Sequence, residues 1–444
     1  MPCRVHHLKK ETAEAGARWG PVLRIRRLLA CARGRSVPSV PQVIGSPADK
    51  WRPLDTANAV AFVSYSSTTT VTPICLVLLA RELQFSLTQA GLLEVMRSLF
   101  LVVLLLASAF LAGRWGKVRC LGTGAILIGT GMALYAVAPS YGFVALSLAL
   151  VGIGGGLKEA LINPLIQELH PGNSGKYLNT LNGFWSIGVL LTMLMGGDLL
   201  TRGVSWRFLV GFLGLLSMAS GALYLLNRRE RSGHTVRLAG TVLRDKVAIL
   251  RSGRFWLFWS MMFLAGGIEG AYTFWSASYF QLELGTLPRA GGIGTACFAG
   301  GMIAGRFASG YWIRQHHLFH LLLGSAVLGL FTSLLIPLLD SVGWLFATMF
   351  LMGLAVACFW PSVQSYSVDR LPFDPTALFI LLSCGGIPGF ALLAWLIGWI
   401  GDNHGLRTAL FVLPAAFLVL ICAFLAERRL RPHSRPPGKA DGIA

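Results

Sequence analysis

Six ionisable side chains stand where water is scarce: Glu94, Arg97, Lys158, Glu159, Glu269 and Arg306 each lie inside a long apolar stretch. A charge in such a place costs several kcal/mol unless it is paired or hydrated, so these residues are candidates for function by position alone. Two carboxylates have proton chemistry open to them. Glu159 lies deep in its stretch, where it can bind and release a proton, and Glu269 falls near the middle of its own. The other four suit gating or ion pairing. Glu94 and Arg97 are three residues apart on one helical face and can neutralise each other. Lys158 adjoins Glu159, so the two point about 100° apart on a helix. Arg306 lies near the end of its stretch, where an ion pair that tethers or gates is expected.

Uncharged polar groups interleave with these charges. A hydroxyl ladder runs from Ser64 to Thr72 ahead of Pro73 and includes Thr69; amides come from Asn163, Asn179, Asn182 and Gln364, and flat rings from Trp185, Trp275, Trp360 and Tyr279. Ser and Thr can instead bond the carbonyls of their own helix. Amides, hydroxyls and rings together suit a neutral polyhydroxylated solute such as a sugar. Thr69, Asn163, Asn182, Trp185, Trp275 and Gln364 are the expected solute contacts.

The elements that must carry these residues are long and apolar. Twelve segments follow one another: 56–80, 89–113, 119–138, 142–169, 178–200, 205–226, 255–281, 290–313, 317–339, 342–367, 375–400 and 406–426. Roughly 20 apolar residues at 1.5 Å rise cross a bilayer core, so each segment predicts a transmembrane helix. The expected fold is an all-α membrane protein of twelve transmembrane helices in two six-helix bundles. Its divisions are a disordered basic cytosolic leader at 1–52, an N-terminal bundle at 53–226 and a basic central loop at 227–253. A C-terminal bundle at 254–426 and a cytosolic tail at 427–444 complete it. Within the central loop, Val242 to Leu250 could form a short amphipathic helix on the membrane face. Ala112-Gly113-Arg114 late in the second segment echoes Ala304-Gly305-Arg306 in the eighth, which hints that the bundles are repeats.

Hydrophobic residues make up 54% of the 444 and charged residues 13%, and the mean hydropathy is +0.63. The net charge of +19 could suggest nucleic acid as a partner, so the position of the charges decides. Arg81, Arg202, Arg207, Arg289 and Arg407 lie in loops on one side and three cations lie within segments, leaving 30 of the 38 Lys and Arg on the other side. That is the positive-inside bias, which places both termini in the cytosol and the chain in the inner membrane. Nucleic acid is therefore not expected as a partner; the lipid bilayer is, and the chain is expected to act as a monomer. The leader has basic residues but no sustained apolar core, so it does not read as a cleavable signal peptide.

Several chemistries lack their motifs. The eight cysteines are scattered without CxxC spacing, and neither a disulfide framework nor a metal site is indicated. His316, His317 and His320 cluster beside a segment end, where solvated residues are expected. Gly152-Ile153-Gly154-Gly155-Gly156 follows no strand in a βαβ unit, and no GxxxxGK[ST] loop occurs, so neither a dinucleotide nor ATP is expected as a cofactor. HExxH and GxSxG are missing from the segments, which argues against an enzyme. A non-transporting membrane sensor or a membrane enzyme is the rival of a different class.

The residues resemble one family. Glu159-Ala160-Leu161-Ile162-Asn163-Pro164 is similar to the Glu-x-x-x-Asn-Pro stretch of the fucose–proton symporter branch of the major facilitator superfamily. Leu178-Asn179 through Gly188 resembles that branch's fifth helix. Gly305-Arg306-Phe307 followed by Trp312-Ile313 is similar to the motif closing its eighth. Trp360-Pro361 resembles the Phe-Pro of its tenth helix, and Gly385-Gly386-Ile387 to Asp402 its eleventh. The resemblance spans about residues 56–426. It implies alternating-access symport of a small polar solute, a sugar, with a proton. Glu159 would be the proton-binding carboxylate and Asn163 and Asn182 sugar contacts; Glu269, by its position, is expected to share the proton coupling. The sequence departs from the branch in two places, where Thr69 replaces the helix 1 aspartate four residues before Pro73 and Lys158 adjoins Glu159, and Gly113 replaces the acidic residue of the general superfamily loop motif after helix 2. A facilitator exporter or uniporter without proton coupling is the rival of the same class.

Overall fold

The structure is a computed structural model that describes residues 50–170, 174–228, 248–312, 317–373 and 375–430. Most of the leader, the central loop and the tail, with Ile313 and the side chains of Asn179 and Trp312, lie outside the described residues. So does all but the last three residues of the expected amphipathic helix Val242–Leu250. Every regular element among the described residues is helical. The first six are α1 (Pro53–Leu83), α2 (Leu87–Trp115), α3 (Lys117–Ala136), α4 (Tyr141–Leu169), α5 (Ser174–Thr201) and α6 (Trp206–Leu226). Then come α7 (Gly253–Glu283), α8 (Pro288–Trp312), α9 (Leu318–Leu335), α10 (Val342–Val356), α11 (Phe359–Arg370), α12 (Pro375–His404), α13 (Leu406–Ala409) and α14 (Val412–Arg429).

Local chemistry sets the boundaries. At the start of α2 the Ser86 hydroxyl accepts from the Gln89 N–H while the Gln89 side chain accepts from Ser86 N–H, a reciprocal cap. Gly116, at φ +83°, makes the tight turn into α3. The expected tenth segment is broken after Val356, and Pro361, which cannot donate an N–H, sits in the first turn of α11.

Ten of these helical stretches are long and apolar enough to cross a membrane, counting Val342–Arg370 and Leu406–Arg429 as one each. The chain is thus an integral multi-pass membrane protein. The segments expected at 255–281 and 290–313 do form helices, of 31 and 25 residues. Both are packed into the bundle, but glycine, serine and charge dilute their apolarity, and they fall outside that set of ten.

Packing among α1–α6 is matched by packing among α7–α14. In the first set α1 lies on α5 and α6, α2 on α4, and α3 on α6; in the second, α7 lies on α12 and α14, α8 on α10, and α9 on α14. The sets meet where α2 packs on α12, α5 on α8 and α1 on α7. One register relates them. Gly152 of α4 lies so close to the Arg97 carbonyl of α2 that no Cβ would fit, and Gly353 of α10 stands in the same relation to Phe298 of α8. Gln84 and Gly285 both turn with positive φ, at 52° and 60°. Each of these pairs is 201 residues apart. The echo at Gly113-Arg114 and Gly305-Arg306 is 192 apart, so it is out of register by nine. Arg114 accordingly ends exposed at the tip of α2, far from any position equivalent to Arg306.

Candidate functional site

A cavity of about 210 Å3 lies between the two sets of helices. Its wall on the first set is built by Tyr65, Thr69 and Thr70 of α1, Arg97 and Leu101 of α2, Glu159 of α4, and Trp185, Ser186 and Val189 of α5. Residues of α7, α8, α11 and α12 build the opposite wall. Eight of the nine first-wall residues have a partner 201 positions later that also lines the cavity. Tyr65 faces Gly266 in this sense, Arg97 Phe298, Glu159 Trp360, Trp185 Gly386 and Ser186 Ile387. Glu269 and Arg306 break that pairing, because neither position 68 nor position 105 lines the cavity.

Of the charges named from sequence, Glu159, Glu269, Arg97 and Arg306 line the cavity. They differ in how they are held. The Glu94 carboxylate accepts from Arg97 Nε at 2.9 Å and again from its terminal nitrogen, and Ser98 Oγ donates to it at 3.0 Å. Both members of this pair are buried. Arg306 donates to Glu269 at 3.2 Å and to the Ala357 carbonyl at 3.3 Å. Lys158 is buried behind the wall, where its ammonium donates to the Ala61 carbonyl and lies 5.0 Å from the centre of the Tyr65 ring. Glu159 differs from all of these. Its side chain is exposed in the cavity, and no hydrogen bond or ion pair engages it among the described residues. Each guanidinium is engaged by a carboxylate of its own, which leaves Glu159 as the carboxylate open to a visitor.

The expected solute contacts divide. Thr69 and Trp185 line the cavity, although the Thr69 hydroxyl is donated to the Ser66 carbonyl of its own helix at 2.7 Å. Asn163 and Asn182 bond each other at 3.1 Å, one turn beyond Glu159. Gln364 bonds Ser383 at 3.2 Å. These are the same tie made twice, since 163 and 364, and 182 and 383, are each 201 apart. One joins α4 to α5 and the other joins α11 to α12. Trp275 lies outside the lining, fully buried, with its indole N–H on the Ala394 carbonyl at 3.0 Å.

Sequence reasoning missed Phe298 and Phe390, which look like core residues in apolar segments, and passed over Tyr65 as one hydroxyl in a ladder. It also missed the outermost contacts between the two sets of helices. At the end of the bundle away from the termini, Asp402 of α12 accepts from the backbone N–H groups of Leu87 and Thr88 at 2.8 Å each, and from the Thr88 hydroxyl at 2.5 Å. In the repeat-related place the N–H of Arg289 donates to Thr201 Oγ1 at 2.9 Å, and its guanidinium pairs with Asp198.

Comparison with known proteins agrees with this architecture. Membrane protein MosC of Rhizobium meliloti is 26% identical over 317 residues, 70% of this chain and 75% of that protein. The crystal structure of the nucleoside transporter NupG matches with a TM-score of 0.71 at 14% identity, covering 85% of this chain and 99% of that one. A bacterial homologue of the human lysosomal transporter Spinster, inward-facing and occupied, matches with a TM-score of 0.69 at 14% identity, covering 86% and 98%. These two likenesses concern the fold. The sequence profile of the Major Facilitator Superfamily matches residues 58–387 and again 292–443, and the chain therefore belongs to the Major Facilitator Superfamily of transporters.

Proposed function

We propose that this protein moves a small polar solute, a sugar, across the inner membrane by alternating access, coupled to a proton carried on Glu159. The observation that carries the reading is the unpartnered Glu159 carboxylate in a cavity shared by the two sets of helices. Twelve transmembrane helices in two bundles, 53–226 and 254–426, would rock about that cavity, with both termini in the cytosol. The motifs around Glu159 and Gly305-Arg306-Phe307 favour the fucose–proton symporter branch. Protonation of Glu159 neutralises the lining charge that has no ion pair among the described residues, so a loaded, neutral cavity can pass through the closed intermediate. Glu269, tied to Arg306, serves as a second carboxylate whose ion pair opens and closes with the halves. Thr69 and Trp185 contact the solute within the cavity. The Asn163–Asn182 and Gln364–Ser383 ties lie one turn along the path towards the termini, where they meet the solute on entry or exit. Trp275 acts on α12 from behind the wall, Lys158 holds α4 to α1, and the Glu94–Arg97 pair sets the charge of the wall. The protein works as a monomer with no cofactor.

Uptake of radiolabelled sugars into proteoliposomes, with and without an inward proton gradient, tests the reading. The expected result is gradient-stimulated uptake that Glu159→Gln uncouples. Uptake indifferent to both the gradient and Glu159→Gln ends the symport reading. It would favour a uniporter or exporter, the alternative supported by Thr69 in place of a helix 1 carboxylate.

A further inference from the structure

The two walls of the cavity are related by one register but differ in chemistry. At three equivalent positions the first wall presents Arg97, Glu159 and Ser186, while the second presents Phe298, Trp360 and Ile387; at two others the first wall presents rings, Tyr65 and Trp185, opposite Gly266 and Gly386. One ring of the second wall is held in place by a glycine. The Trp360 indole lies directly on the backbone of Gly386, so close that a Cβ there would collide with it. Each wall carries one ion pair, Arg97 with Glu94 and Arg306 with Glu269, so among the described residues Glu159 is the lining charge left without one. A sugar ring offers only its small C–H face to Phe298 and Trp360, whereas a flat ring would cover more of them, and a wholly apolar solute would strip water from Glu159.

We infer that the transported solute has two ends, a polyhydroxylated head facing Arg97 and Glu159 and a flat aromatic body stacked on Trp360. An aryl glycoside has this chemistry, and a free monosaccharide has half of it. Ring stacking and burial of the flat body supply affinity that the head alone lacks. The inference rests on the cavity being the transport site and names the class of solute for it.

Matched ligands isolate the second end. Phenyl and methyl β-glycosides of glucose, galactose and fucose share a head and differ in the flat body, and each is titrated against the melting temperature of the purified full chain. For at least one head, the phenyl glycoside should reach half-maximal stabilisation at a concentration at least ten-fold lower than its methyl counterpart. Trp360→Ala should close that gap, Trp360→Phe should keep part of it, and Arg97→Leu should weaken both ligands alike. Equal midpoints for phenyl and methyl with every head overturn the inference, as does the absence of any shift with all six. A phenyl advantage that survives Trp360→Ala overturns it too. If Trp360→Ala does not fold, the comparison on the unaltered chain still decides. Proton coupling is read separately, from the gradient dependence of uptake, so either idea can fall without the other.

Discussion

The two ends of the bundle are held together in different ways. At the end away from the termini, the bonds run between the two sets of helices: Asp402 caps the start of α2, and Thr201 and Asp198 hold the start of α8. Close backbone approach accompanies them, since a Cβ on Gly91 would lie 2.5 Å from the Trp395 Cα. At the termini end, the bonds among the described residues run within one set. Both Asp55 oxygens lie 2.9 Å from His170 Nε2, with Tyr177 stacked on the imidazole, and one of them also accepts the Arg52 N–H at 2.8 Å; the Tyr224 hydroxyl donates to Asn58 at 2.7 Å. In the second set, Glu427 is fully buried and accepts from Arg254 and from the Tyr366 hydroxyl. Among the described residues, one end is therefore fastened across the seam, and the other is fastened on each side of it. A transporter bonded across the seam in this way is shut at the far end.

Breaking a tie within one half should cost stability without changing which end is shut. Glu427→Gln leaves Arg254 and Arg370 without their buried carboxylate, and removing one partner of a buried pair costs about 3–5 kcal/mol. We expect the largest fall in melting temperature of any substitution discussed here. A cysteine placed at Thr295, in the cavity, should keep its slow labelling by an impermeant maleimide from the far side. Faster labelling would erase the distinction between the ends.

Wedging the seam should do the reverse. A Cβ on Gly398 would collide with the Leu87 carbonyl, which is backbone and can yield only if α2 and α12 separate. Overpacking of this kind costs about 1–3 kcal/mol, so Gly398→Val should raise far-side labelling of the Thr295 cysteine by roughly five- to a hundred-fold. Asp402→Ala removes a cap that one half supplies to the other. Loss of an N-cap costs about 1 kcal/mol, and labelling should rise by about five-fold. Unchanged labelling in both variants would mean that the seam is shut by something else.

How much of this was legible in the sequence follows from what each feature depends on. Long helices in a membrane depend on apolarity, so ten of the twelve expected segments were readable as spans to within a few residues. The segments 255–281 and 290–313 form helices too dilute in apolar residues to join them, and the break after Val356 interrupts an unbroken apolar run. Charges in apolar segments point to a cavity, and four of the six named line one. The repeat was not legible. Arg97 and Phe298, or Glu159 and Trp360, are equivalent in place and share no chemistry, so only packing reveals their relation. The echo that was visible lay in the wrong register. Asn163, Asn182 and Gln364 were found by residue type, but whether an amide faces a solute or ties two helices depends on its neighbour across the interface. The aspartates that fasten the seam lie at helix ends, where a charge needs no explanation, and nothing in the chain shows that Asp402 meets residue 88.

The repeat makes one last prediction, the smallest in size. Both fastenings at the far end share a bond from a backbone N–H at the start of a helix, Thr88 or Arg289, to a side chain at the end of another, Asp402 or Thr201. Only the second adds an ion pair, Arg289 to Asp198, with both partners well exposed to solvent. Exposed pairs contribute about 0–1 kcal/mol and weaken with salt. Arg289→Ala keeps the N–H that the repeat preserves, so far-side labelling should rise less than two- to three-fold at low salt and not at all at high salt. A rise as large as that of Asp402→Ala, persisting in salt, would show that the ion pair rather than the helix start fastens α8 to α5. The two halves would then be alike in shape but not in how they close.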